Sequence, residues 1–127
     1  MLHEFLRDIA RRPFVWGECD CTLILADWWM LNHGVDPAIG WRGTYSTRGE
    51  CHAMLAARGG LLRVVRDLAV STAATRTAAP LAGDFGVVRH SGKHVSAICV
   101  GTNQWAGKSP DGVTVFRPDK IAMAWKI

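Results

Sequence analysis

Apolar residues in the first half of the chain recur at the three- and four-residue spacing of helices that face a core. Leu2, Phe5, Leu6 and Ile9 mark a first helix that Pro13 ends. Trp16-Gly17-Glu18-Cys19-Asp20 reads as a short loop. A second, more apolar helix is expected from about Cys21 to Leu31, carrying Leu23, Leu25, Ala26, Trp28 and Trp29, with Asn32-His33-Gly34 as its stop signal. Asp36-Pro37 and the stretch from Gly40 to Tyr45 read as irregular. A third helix is predicted from about Arg48 to Ala57, stopped by Gly59-Gly60, and Leu61, Leu62, Val65 and Leu68 predict a short fourth. Residues 71–80 form a connector.

The period then changes from helical to alternating. Asp84–His90 and Lys93–Val100 are β-rich, and Ser91-Gly92 between them predicts a tight hairpin turn. Turns at Gly101–Asn103 and Lys108–Gly112 flank short strands near Gln104–Ala106 and Val113–Phe116. Pro118 precedes a last apolar piece, Ile121–Trp125. Helices followed by an antiparallel meander predict an α+β domain with N-terminal helices packed on a C-terminal antiparallel β-sheet. Residues 1–127 read as one domain, with no internal repeat.

Composition narrows the function classes. Hydrophobic residues make up 49% and charged residues 20%, which argues against disorder. The net charge of +4 is scattered and forms no basic arm, so no nucleic-acid partner is expected. No apolar run is long enough for a membrane span. The charged, amphipathic start Met1-Leu-His-Glu-Phe-Leu-Arg-Asp has no secretory h-region. The four cysteines, Cys19, Cys21, Cys51 and Cys99, therefore read as reduced thiols rather than two disulfides.

Candidate chemistry concentrates at Phe14-Val-Trp-Gly-Glu-Cys-Asp-Cys21-Thr-Leu. A cysteine in the first turn of a helix meets unpaired N–H groups and the positive end of the helix dipole, which favour thiolate, the nucleophilic form. The alternative is a small buried hydrophobe. Asp20, immediately before the helix, reads as its N-cap. A cysteine nucleophile needs a base, usually histidine. His94 opens the second hairpin strand and shares a face with Ser96, Ile98 and Val100, whereas Val95, Ala97 and Cys99 share the other. His90 competes from across the turn or is a solvated turn residue. His33 suits a helix C-terminus, and His3 and His52 have no evident chemical context. Asp84 reads as a turn or strand-start residue and Cys99 as core. Cys19, Cys21, Cys51 and His52 offer four zinc-type ligands, but without the usual knuckle spacing, so no metal and no cofactor are expected.

Three segments together resemble the NlpC-type papain-like cysteine peptidases: Trp16-Gly17-x-x-Asp20-Cys21 heading a helix, Gly83-Asp84 opening a strand, and His94-Val95-Ser-Ala-Ile-Cys-Val-Gly101. Arg42-Gly43-x-Tyr45, Gly59-Gly60-Leu61 and Ala124-Trp125 are similar to small phage and prophage tail-associated members. The resemblance covers most of the chain, and its specific part is the cysteine box. It implies a papain-like fold with Cys21 as nucleophile and His94 as general base. The family's third polar group falls at or beside Trp105, which has only a donor; Gln104, or Asn103, would substitute if the register slips. Ser96 stands where the family has glycine.

The implied function is cleavage of peptide or amide bonds in peptidoglycan by a tail-associated hydrolase. The alternative is the same fold with its catalysis lost, acting as a tail-tip or tail-assembly protein. Expected partners are peptidoglycan and other tail proteins, and the expected location is the virion tail, or the host cytoplasm during assembly. Of the six tryptophans, Trp28 and Trp29 read as core, while Trp16, Trp41 and Trp105 are expected in a groove where aromatic faces would stack on sugars.

Overall fold

Four helices and five strands follow one another along the chain in the computed structural model, which describes residues 1–127. They are α1 (Leu2–Arg11), α2 (Ile24–His33), α3 (Arg48–Ala57) and α4 (Leu61–Ser71), then β1 (Phe85–His90), β2 (Lys93–Gly101), β3 (Gln104–Ser109), β4 (Gly112–Phe116) and β5 (Lys120–Trp125). The α+β class and the helices-first order are as expected. No helix is long and apolar enough to cross a membrane.

The core explains why α2 is apolar all round. Its Leu25, Trp28 and Trp29 join Phe5 and Ile9 of α1, Val65 and Ala69 of α4, and Phe85, Val87, Ile98 and Trp125 of the sheet. On its other side Leu23 and Ala26 pack with Ala38, Trp41, Val64 and Leu68. A helix buried on both sides has no polar stripe to keep. Gly34 ends it in the left-handed region at φ 75, where glycine carries no Cβ penalty. Thr47 caps α3 by accepting from the Glu50 N–H at 3.1 Å, and Glu50 accepts in return from the Ser46 N–H.

The sheet is antiparallel with order β4-β3-β2-β1-β5. Ser91 and Gly92 both take positive φ, at 51 and 76, as a two-residue hairpin turn requires. The expected meander holds for the first four strands only. The last apolar piece leaves β4 and runs antiparallel beside β1, at the opposite edge. Burial drives that crossing: Trp125 stacks on Phe85 with ring centroids 5.9 Å apart, within the helix-facing core. Gly86 permits the close approach, since a Cβ there would run into the Met123 carbonyl. The residues 71–80 connector then flanks β5, with hydrogen bonds from Thr77 N to Ala124 O and from Lys126 N to Thr75 O.

Two register details differ from expectation. The β3 strand continues through Lys108 and Ser109, so its turn shrinks to Pro110-Asp111. The α2 helix begins at Ile24, and Cys21 sits in the turn that leads into it.

Candidate active site

Asp20 organises the cysteine loop. Its Oδ1 accepts from the backbone N–H of Thr22 and Leu23, both at 2.9 Å, and its Oδ2 accepts from Gly17 N–H at 2.8 Å and the Tyr45 hydroxyl at 2.7 Å. These bonds satisfy the donors ahead of α2 and delay its start to Ile24. Gly17 has φ +83 and lies against the Tyr45 carbonyl, which a Cβ would strike. Gly43 N–H donates to Gly17 O at 2.9 Å. Arg42 fixes the same stretch from behind, with Asp27 at 2.7 Å and Asp36 at 2.6 Å. The Arg-Gly-x-Tyr segment is thus the strap that holds the cysteine turn in place.

Cys21 is half-buried, unlike the buried Cys19, Cys51 and Cys99, and all four are free thiols. The expected stabilisation of its thiolate is overturned. Burial and the adjacent Asp20 carboxylate push the Cys21 thiol up to about 11. The residue stands before the helix and beside a negative charge.

Cys21 opens onto a cavity of about 280 Å³ that also has Trp16, Thr22, Cys51, His52, Leu55, Leu61, His94, Val95 and Ser96 in its wall. Residues 73 positions apart in sequence, Cys21 and His94, therefore share one cavity. Trp16 lies there too. Ser96 is fully enclosed, and its hydroxyl has no hydrogen-bond partner. His94 is exposed at the rim and pairs across the hairpin with Arg89, whose Nη1 lies 3.4 Å from His94 Nε2.

The other expected site residues lie elsewhere. Gln104 pairs with Gly101 at the far end of β2, seven residues from His94, on the order of 20 Å at strand spacing. It does not orient that imidazole, and neither does Asn103 beyond it. Trp105 pairs with Cys99 and is buried among Val88, Ala97 and Ala124 on the sheet face opposite His94. Trp41 is buried behind α2 and lines a different depression, with Arg58 and Leu68. Both lost the groove for the same reason: large indole surfaces bury where a core has room for them. The only β3 side chain near the site's end of the sheet with a charge is Lys108. It is buried, and its Nζ donates to Ile9 O at 2.9 Å and Arg12 O at 2.8 Å, capping α1.

Of the remaining histidines, His33 stacks on Trp29 in the last turn of α2, and His90 packs on Phe116 on the far face. Asp84 accepts from Leu81 N and Ile127 N, a strand-start role. Sequence reasoning missed His52 and Cys51 at the cavity. The i, i+4 pair Cys51 and Leu55 on α3 was the available signal, since it turns one helix face toward the core.

A family model described as a domain of unknown function, DUF6950, matches residues 1–127. The chain belongs to the DUF6950 family. No curated protein and no solved structure matches it. In this DUF6950 domain one cavity joins the half-buried Cys21 thiol to His52, His94 and the unpartnered Ser96 hydroxyl.

Proposed function

We propose that this DUF6950 domain is a papain-like, NlpC-type cysteine hydrolase that cleaves a peptide or amide bond of peptidoglycan, carried on a phage or prophage tail. The observation that supports it is the meeting of Cys21 and His94 in one cavity, from a turn before α2 and from the start of β2. Because the thiol is held high, at about 11, it is not ionised beforehand near neutral pH. Attack then requires a base in the same step. His94 takes the Sγ proton as sulfur bonds to the carbonyl carbon, and returns it to the leaving nitrogen as the C–N bond breaks. Water cleaves the resulting thioester and restores the thiol. Digestion of purified peptidoglycan, followed by release of new amino termini, tests this reading. Wild type should digest and Cys21→Ala should not; equal digestion by both, or by neither, refutes it.

A second reading has its own support. The group that hydrogen-bonds to His94 is the Arg89 guanidinium, a donor only, and Gln104 lies far from it. The fold would then serve as a structural tail-tip or tail-assembly component. Stable capture of tail proteins by the Cys21→Ala variant, together with no digestion by wild type, favours this reading.

A further inference from the structure

Arg89 and His94 face one another as a direct cross-strand pair of the β1–β2 hairpin. Arg89 Nη1 lies 3.4 Å from His94 Nε2, and Nη2 donates to the Gly92 carbonyl at 3.0 Å. The second bond ties the guanidinium to the hairpin turn, giving it a backbone anchor beside the histidine. A guanidinium has five donors and no acceptor, and a neutral imidazole has one acceptor nitrogen. The contact therefore requires the His94 lone pair to be on Nε2 and its proton on Nδ1. That lone pair is the only basic site the ring has.

We infer that Arg89 is a positioning residue that holds His94 in the Nδ1–H tautomer and keeps its lone pair engaged, restraining it as a base toward Cys21. The restraint is built into the hairpin: register places the two residues opposite, and the tight Ser91-Gly92 turn offers the carbonyl that anchors the arginine. The resting thiol, already high through burial and Asp20, then lacks His94 as a free base. Releasing His94 requires the guanidinium to move off Nε2. This consequence for Cys21 rests on the proposed pairing of Cys21 with His94, whereas the tautomer does not.

Two measurements on the intact chain test it. Long-range ¹H–¹⁵N correlation spectra of the imidazoles above neutral pH report the tautomer directly. Wild type and Arg89→Lys, which keeps a donor, should show His94 as Nδ1–H, and Arg89→Leu should shift it toward Nε2–H. An Nε2–H ring in wild type, or no change in Arg89→Leu, overturns the inference. Alkylation of Cys21 by iodoacetamide at neutral pH, followed by mass spectrometry, reads the restraint. Arg89→Leu should react faster by roughly two- to tenfold, the range spanned by one net hydrogen bond, and His94→Ala/Arg89→Leu should lose that gain. A slower or unchanged Arg89→Leu overturns the restraint. Circular dichroism checks that each variant is folded. An Nδ1–H ring with faster alkylation in Arg89→Leu, but no peptidoglycan digestion by any variant, refutes the hydrolase and leaves the inference standing.

Discussion

The Tyr45 hydroxyl donates to Asp20 Oδ2 at 2.7 Å, joining two buried residues 25 positions apart. Asp20 is 1% exposed and Tyr45 4%, so the bond is made out of water, where an unmet partner is costly. Burial, helped by that carboxylate, raises the Tyr45 phenol well above its usual range, so the hydroxyl stays a donor. Tyr45→Phe should destabilise the fold by about 1.5–3 kcal/mol, the range for a bond to a charged group. Asp20→Ala, which strands four donors, should cost more than Tyr45→Phe. Urea denaturation followed by tryptophan fluorescence checks the order.

Gly17→Ala should be destabilising at the same loop. Its φ of +83 is unfavourable for alanine by about 1–2 kcal/mol, and the new Cβ meets the Tyr45 carbonyl. The same denaturation experiment on Gly43→Ala is the control: φ is also positive there, at +73, but nothing lies within reach of the Cβ. Gly17→Ala should lose clearly more stability.

Cys21 chemistry should depend steeply on pH. With the thiol pushed up to about 11, the thiolate fraction at neutral pH lies below that of an ordinary cysteine, whose reference value is 9.0. Alkylation of wild type by iodoacetamide should therefore climb about tenfold per pH unit through the neutral range and level off only near 11. The linkage sign follows. A thiol made less acidic by folding stabilises the fold below about pH 9 and loses that contribution as pH rises through about 11, so wild type should lose stability over that window and Cys21→Ala should lose less. A rate profile that levels off near neutrality contradicts this.

Lys108→Met should loosen α1 selectively. The ammonium caps the Ile9 and Arg12 carbonyls from a site only 4% exposed. Removing it leaves the Arg12 carbonyl without a donor and Ile9 O with only the Arg12 N–H at 3.3 Å, at a cost of about 1–3 kcal/mol. Hydrogen exchange should quicken in residues 2–11 before it does in β1 and β2.

Much of the fold was legible because its signals are local. Leu2, Phe5 and Ile9 declare α1 by spacing, Gly34 ends α2 by its backbone freedom, and Ser91-Gly92 sets the first hairpin. The site was legible only in part. Asp20 as a local acceptor beside Cys21 was readable from adjacent residues, but the N-cap of α2 is Leu23 and Asp20 instead holds the turn before it. Gln104, Trp41 and Trp105 were misplaced because strand register and burial decide them. Tyr45 and Arg42 stood in the quoted segment, yet nothing local shows that they anchor the cysteine turn.

The sequence by itself determined the order of elements, the α+β class and the cysteine turn, since periodicity, turn residues and caps act over a few positions. Tertiary structure alone decided that β5 pairs with β1, that His52 and His94 meet at the Cys21 cavity, and that Arg89 takes the His94 nitrogen. It also reversed the expected acidity of Cys21. Those outcomes depend on burial and on charges brought together from distant parts of the chain, and burial is a property of the packed molecule.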